Sequence, residues 1–360
     1  MTSSAMPPLP PHEICSEHAN LTFNLQKKEF APYVLLDNCN ILGDTSIVTS
    51  CLGDLAEDVI GEALYWCPVE FPLNHLGSND VASALIEERK HFLAGIKHLY
   101  FKHFGHNAIS HQGEIGIYLC HPLGFYAYEQ LFDSLQRLYS IRHLLPDARH
   151  RFVVSDYEHI PDFLKHISIL WGNDVREEDV ILASARQVHR FEQLIVPFSP
   201  AMPTSFTPDT YNWAFNAYIN CFVNAPDEPV SERLYLSGNH NSHGSSKAVI
   251  NEEDVTTFLN DNGFKVIHGN EPLDETVRNF YNAKIVVGCH GPQFVNTIFC
   301  RPETKIIEYV PSNRINSSIR NMHKHAQDYV CCSVESDENL SMHIPVDDLV
   351  SRLAPFVRAN

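Results

Sequence analysis

The chain has 360 residues, of which 44% are hydrophobic and 19% charged, and its formal net charge is -18. This length and composition predict two ordinary domains with sizeable cores and exclude a disordered or fibrous protein. The negative charge argues against a general nucleic-acid or anionic-membrane binder, because it repels phosphate groups. No apolar run reaches the roughly 18 residues of a membrane-spanning helix, and the opening "MTSSAMPPLPPHEICSEHAN" lacks the pattern of a signal peptide. We therefore expect a cytoplasmic protein.

Short apolar runs in the first half of the chain have the length and branching of buried strands. They cover residues 115–120, 150–155, 180–184 and 194–198. Helical stretches separate them, as over residues 128–145, where Leu131, Leu135 and Leu138 recur at helical spacing. Such alternation predicts a largely parallel sheet with helices on its faces.

A proline-rich stretch at residues 197–208, "PFSPAMPTSFTP", is typical of a linker or a surface crossing. It predicts an N-terminal α/β domain over residues 1–198 and a second, Rossmann-like domain over residues 199–345. The remaining residues, 346–360, contain a last helix that we expect to pack back on the N-terminal domain.

The second half alternates more regularly between strands and helices. Strands are predicted at 233–238, 264–269, 284–288 and 305–310, and helices at 252–262, at 273–283 and from about Pro292. Asn251 can cap the first of these helices, whose acidic first turn suits the helix dipole, and Gly263 marks its end. This order predicts a doubly wound domain.

Two loops at the carboxyl ends of these strands are candidates for ligand binding, because ligands bind there in open parallel sheets. They are residues 238–251, after the first strand, and residues 289–296, after the third. In the loop after the third strand, Gly291 allows close backbone approach and Pro292 fits a first helical position, so the helix start could hold a phosphate. His290 could donate to the same anion, and Glu308 could accept from a ribose diol. A glycine-proline pair after a strand is also typical of a plain structural turn, and from spacing alone both interpretations stay open.

Three motifs in this half are similar to those of glycosyltransferase family 61, which includes bacterial polysaccharide-biosynthesis enzymes and plant xylosyl- and animal N-acetylglucosaminyltransferases. "KAVINEE" (247–253), "GCHGPQFVNTIF" (288–299) and "KIIEYV" (305–310) follow in the family's order. The resemblance extends more faintly upstream to about residue 115. The chain departs from the family pattern at Asn239, where an arginine is missing, at Lys247 and Glu129, which replace arginine and histidine, and at Pro292-Gln293, which replace Ala-Gly.

The resemblance implies a GT-B-like fold, with two Rossmann-like doubly wound domains facing a cleft. It implies an inverting glycosyltransferase that moves a sugar from a nucleotide-diphosphate donor, UDP ahead of GDP, to a glycan or polysaccharide acceptor. Residues expected to bind the donor or its phosphates are Lys247, Asn251, His290, Gly291, Pro292, Gln293, Asn296 and Glu308. Loop residues expected near the acceptor are Asn239, His240 and His243.

Catalysis in this scheme needs a base for the acceptor hydroxyl and stabilisation of the leaving diphosphate. His290, Lys247 and the helix start near Gly291 are the candidates for the second role. For the base we favour a carboxylate of the N-terminal domain, Glu129 ahead of Asp133, although either could be solvated, and Asp133 has Arg137 four residues on as a structural partner.

Metal and cofactor requirements are expected to be absent. The chain has no convincing Asp-x-Asp motif to hold a divalent ion, and its histidines lack the spacing of a structural zinc site. Two alternatives stay open: a nucleotide-sugar epimerase-like enzyme on the same fold, and a catalytically degenerate protein that binds a nucleotide sugar or glycan.

Overall fold

The computed structural model describes fourteen stretches of the chain: residues 33–42, 48–50, 107–120, 135–142, 144, 149–155, 160–172, 175–184, 187–197, 208–223, 231–238, 249–312, 328–337 and 341–356. Over these ranges the protein is mixed α/β. It divides after Pro203 into two compact units, and each unit carries one sheet. Within the same ranges, no helix is both long and apolar enough to cross a membrane.

The first unit has a six-stranded sheet of order β2-β1-β6-β3-β4-β5. Its strands are β1 (Tyr33–Leu42), β2 (Val48–Ser50), β3 (Ile109–Tyr118), β4 (His150–Ser155), β5 (Val180–Ala183) and β6 (Val188–Pro197). β3 runs parallel to β4 and β6, and β4 runs parallel to β5, as the alternation of strands and helices predicts. β1, which the sequence analysis missed, is antiparallel to both β2 and β6.

Helical segments of the first unit are short apart from one. They are the 3₁₀ turn Leu135–Arg137, α1 (Leu138–Ile141), α2 (Ile160–Trp171) and the 3₁₀ turn Glu177–Asp179. The helix predicted over residues 128–145 is therefore helical at 135–141, within the part of it that the structure describes. α2 was not predicted.

The second unit has a five-stranded sheet in which all neighbouring strands are parallel. Its strands are β7 (Arg233–Leu236), β8 (Lys265–Ile267), β9 (Ile285–Cys289), β10 (Lys305–Pro311) and β11 (Asp328–Val334). Its helices are α3 (Pro208–Phe222), α4 (Glu252–Asp261), α5 (Leu273–Asn282), the 3₁₀ helix Pro292–Phe299 and α6 (Val346–Leu353). Neither α3 nor β11 was predicted from the sequence.

The strand order β11-β10-β9-β7-β8 reverses direction at β7. The chain leaves β7 through α4 to β8 on one side and then returns through α5 to β9 on the other side. In open parallel sheets, ligands bind outside the carboxyl ends of the two strands that flank such a switch point. Here those ends are Leu236 and Cys289.

One face of the second sheet forms a core with α4 and α6. Alternate residues of the strands point into it, among them Tyr235, Val287 and Tyr309. From the last helix, Leu349 and Leu353 are fully buried in the same cluster. The apolar face of that helix therefore lies in the core of its own unit, whereas we expected it to pack on the first half of the chain.

Aromatic side chains join α3 to the 3₁₀ helix in the second unit. The rings of Tyr218 and Phe299 lie 4.8 Å apart, and the Tyr211 hydroxyl donates to the carbonyl oxygen of Cys300 at 3.2 Å. These contacts hold the segment that begins directly after β9, and so they position the residues at the switch point.

Candidate active site

A small crevice opens at the switch point between β7 and β9. The residues that line it are Leu236, Ser237, Gly238, Cys289, Gly291 and Gln293. Gly288 lets the two strands meet closely just before the crevice. A Cβ there would lie 2.7 Å from Cβ and 2.9 Å from the carbonyl oxygen of Leu236, its partner in the sheet.

His290 is held beside this crevice by two contacts with β10. Its backbone N–H donates to the carbonyl oxygen of Tyr309 at 2.7 Å, and its Nδ1 lies 2.6 Å from Oε1 of Glu308. Because a carboxylate only accepts hydrogen bonds, Nδ1 carries the proton in this pair. No described residue bonds to Nε2, the nitrogen that remains for a ligand.

Glu308 lies in the middle of β10 and has no solvent exposure. Its neighbours across the sheet are Gly288 on β9 and Cys331 on β11. Its second oxygen, Oε2, accepts from the Tyr329 hydroxyl at 2.5 Å. Burial raises the pKa of Tyr329, as does the charge of Glu308, so that the hydroxyl keeps its proton and remains a donor.

Both oxygens of Glu308 are thus occupied, and the side chain is out of reach of solvent. This environment differs from the expected one, in which Glu308 accepts from a ribose diol. Its position fits a residue that orients His290, and the partner that completes the arrangement is Tyr329, which the sequence analysis did not single out.

The Asn-Glu pair at the start of α4 ties that helix to neighbouring backbone and side chains. Glu252 accepts from the Tyr235 hydroxyl at 2.7 Å and from the Ser237 hydroxyl at 2.5 Å, which fixes the end of β7. Asn251 occupies the N-cap position of α4, but its side chain makes no capping bond. Its amide instead donates to and accepts from the backbone of Ile344, at 2.8 and 3.0 Å.

Gln293 bridges the carboxyl ends of two strands. Its Nε2 donates to the carbonyl oxygens of Ser237 and His268, at 3.3 and 3.1 Å. Its Oε1 is buried and has no hydrogen-bond partner among the residues that the structure describes. The sequence offered one signal for this role, the replacement of a small family residue by a long polar one.

The helix predicted from Pro292 is present, but it is a 3₁₀ helix of eight residues. Gly291 precedes it in an extended conformation, and the Phe294 N–H bonds back to the Gly291 carbonyl oxygen at 3.2 Å. Pro292 is exposed and Asn296 is half-buried. His290, Gly291 and Gln293 therefore lie at one end of the sheet, where Glu308 bonds His290, whereas the side chain of Asn251 bonds the backbone of Ile344.

The remaining predicted site residues lie outside the described part of the chain. They are Glu129, Asp133, Asn239, His240, His243 and Lys247. Within the described part, no three His, Cys, Asp or Glu side chains are grouped so that they could hold a metal ion.

Comparison with known proteins gives one family. The model of the family described as Glycosyltransferase 61 matches residues 96–307, more than half of the chain. The matched region includes β7, β9 and the 3₁₀ helix, and with them the whole crevice. No curated protein matches the chain.

Proposed function

Because the chain belongs to glycosyltransferase family 61, we propose that it transfers a sugar from a nucleotide-diphosphate donor, UDP ahead of GDP, to a glycan hydroxyl with inversion. The observation that carries this proposal is the placement of His290. A fully buried carboxylate, Glu308, orients this histidine at the switch point of a parallel sheet, where such folds bind ligands.

His290 contacts the leaving diphosphate in this mechanism. The Nδ1–H group of the ring donates a hydrogen bond to Glu308. In the imidazolium form the Nε2–H group donates a second hydrogen bond, to a phosphate oxygen. Negative charge on that oxygen grows as the glycosidic bond breaks, so the hydrogen bond is strongest in the transition state. Glu308 keeps the ring in place, and this fixed geometry avoids the cost of reorganisation during the reaction.

The two units take different substrates in the proposed GT-B-type reaction. The second unit binds the nucleotide sugar, and Lys247 supplies positive charge where relatives carry arginine. The first unit binds the glycan acceptor and supplies the base. A carboxylate, Glu129 ahead of Asp133, accepts the proton of the attacking hydroxyl. The reaction proceeds without a metal ion, because His290 and Lys247 offset the charge of the leaving group.

Titration of the purified protein with UDP, GDP and UDP-sugars tests the proposal. We expect UDP to raise the melting temperature in the presence of a chelator, because a ligand that binds only the folded state stabilises it. His290→Ala should reduce this shift only slightly, because its contact is strongest in the transition state, and His343→Ala, which changes an exposed histidine of the same unit, serves as the matched control. Stabilisation that requires Mn²⁺ or Mg²⁺ would contradict the metal-free mechanism.

The products separate a transferase from the two alternatives. A transferase releases UDP from a UDP-sugar when a glycan acceptor is added, and it releases little without one. Interconversion of the UDP-sugar alone would instead identify an epimerase-like enzyme. Binding of the nucleotide with neither reaction, over a panel of UDP-sugars and glycan acceptors, would identify a binding protein.

A further inference from the structure

The crevice at the switch point contains one polar atom whose bonding is incomplete. Oε1 of Gln293 is buried and has no hydrogen-bond partner among the described residues. The residue as a whole is 9% exposed. An unpaired buried acceptor lowers stability, and native proteins retain few of them. Because Gln293 lines the crevice, a ligand that enters it can satisfy this atom.

The orientation of the Gln293 amide follows from its neighbours. Two carbonyl oxygens, those of Ser237 and His268, lie at 3.3 and 3.1 Å from the other end of the amide. Carbonyl oxygens accept hydrogen bonds only, so the atom between them has to be the NH₂ group. The end that remains for a ligand is therefore the oxygen.

The Gln293 side chain is also held in place. Gly269 has a φ of +84°, and a Cβ at this position would lie 2.8 Å from Nε2 of Gln293, so a glycine makes room for the amide. Ser237, whose carbonyl accepts from Nε2, is itself bonded through its hydroxyl to Glu252. The acceptor oxygen is consequently presented in a fixed position before any ligand arrives.

The chemistry of an acceptor restricts what it can bind. A diphosphate at neutral pH has no proton to donate and would repel the amide oxygen, so the group that reaches Oε1 carries an O–H or N–H. His290, at the same end of the sheet, is the candidate contact for the diphosphate, and the sugar to be transferred is attached to that diphosphate. We propose that Oε1 of Gln293 accepts a hydrogen bond from a hydroxyl group of the transferred sugar, an inference that rests on the proposed function.

This contact makes Gln293 a specificity-determining residue of the present chain. The family pattern has glycine at this position, and a glycine offers no side-chain acceptor. The crevice is small, and Gln293 is one of the residues that line it. A sugar without a hydroxyl at the contacted position would leave the oxygen unpaired and would bind more weakly.

Isothermal titration of UDP, UDP-glucose, UDP-xylose and UDP-N-acetylglucosamine tests the inference. The variant Gln293→Met has a similar side-chain length but no donor and only a weak acceptor, and Gln293→Gly restores the family residue should the first variant fold poorly. We expect the Kd of the tightest UDP-sugar to rise about tenfold in Gln293→Met, the usual effect of losing one hydrogen bond to a buried group. The Kd of UDP should stay within about twofold, since UDP lacks the sugar.

Monodeoxy analogues of the tightest UDP-sugar then identify the hydroxyl. One analogue should bind the natural protein about tenfold more weakly than the parent sugar nucleotide and bind Gln293→Met as well as the parent does. Equal changes in the Kd of UDP and the UDP-sugar, or no change in either, would overturn the inference and leave the proposed function standing. Failure of the natural protein to bind UDP and all three UDP-sugars would contradict both.

Discussion

Glu308 and His290 are 18 residues apart in the chain, yet Oε1 of the carboxylate lies 2.6 Å from Nδ1 of the imidazole. The parallel register of β9 and β10 produces this contact, because it sets Glu308 opposite Gly288, two residues before His290. A shift of one residue would turn Glu308 to the opposite face of the sheet. The sheet register therefore decides whether His290 has an orienting partner.

His290→Ala should lower turnover far more than donor affinity. The lost contact is strongest in the transition state, and removing one such donor typically lowers kcat about 10²–10³-fold. We expect the Kd of the UDP-sugar to rise no more than about threefold. Steady-state kinetics and titration on the folded variant measure both quantities, with His343→Ala as the control. Turnover equal to that of the natural protein would remove His290 from the mechanism.

Glu308→Gln should lower turnover about tenfold or more while leaving the fold and the UDP affinity nearly unchanged. The amide has one acceptor oxygen in place of two, so it cannot accept from both His290 and Tyr329, and the imidazole is held less firmly. Circular dichroism, UDP titration and kinetics separate this positioning role from a direct one. A large loss of UDP affinity with unchanged turnover would show that Glu308 acts on the nucleotide instead.

Tyr329→Phe should lower the free energy of unfolding by about 1–2 kcal/mol, because one oxygen of a fully buried carboxylate loses its donor. The matched control is Tyr281→Phe. Tyr281 is also half-buried in the second unit and makes ring contacts with Phe215 and Arg301. We expect a change below about 0.5 kcal/mol for this control. Equal effects in chemical denaturation would show that the bond to Glu308 contributes nothing to stability.

Most strands near the site could be predicted because their apolar runs are local features of the sequence. β4 was predicted with its observed bounds, and β9 and β10 to within one residue. β1, β2 and β11 were missed. β1 is not a simple apolar run, because its ten residues include Asp37, Asn38 and Asn40. It is held in the sheet by antiparallel pairing with β6, whose residues lie about 150 positions further along the chain.

The residues of the candidate site could be predicted better than their contacts. His290, Gly291 and Glu308 stand out in the sequence, but which side chains meet depends on sheet register and on side chains far along the chain. Asn251 illustrates the difference, because a residue 93 positions away, Ile344, takes the amide that was expected to cap α4. Gln293 could be recognised as unusual, but its unpaired oxygen is visible only once β7, β8 and the 3₁₀ helix are assembled.

Gly288→Ala should destabilise the second unit by about 2–3 kcal/mol. The new methyl group would lie 2.7 Å from Cβ and 2.9 Å from the carbonyl oxygen of Leu236, so the strands have to separate. Gly172→Ala is the control, since its methyl group meets open space and only the φ of +79° opposes it, at a cost of about 1 kcal/mol. Denaturant unfolding measures both changes, and a Gly288→Ala variant no less stable than this control would contradict the steric argument.

Two histidines in the sheet of the first unit form a pair that resists protonation. His111 Nε2 lies 3.0 Å from His189 Nδ1, and His189 Nε2 lies 3.2 Å from Oε1 of Gln187. Burial and, to a smaller extent, the neighbouring His111 together lower the pKa of His189 to about 4. Burial also lowers the pKa of His111, although Glu114 opposes that change. Arg151, on the adjacent strand, bonds Glu114 at 3.0 Å and adds positive charge near the pair.

Acidification should therefore destabilise the first unit through His189. Between pH 6.5 and about 4 the unfolded chain binds a proton at this residue and the folded chain does not, so the free energy of unfolding falls as the pH falls through this window. We expect a loss of about 2 kcal/mol between pH 6.5 and pH 4.5 from this side chain. His189→Gln cannot be protonated and should lose that part of the pH dependence. Chemical denaturation of both proteins at several pH values measures the difference, and parallel curves for the two would show that His189 is not the group responsible.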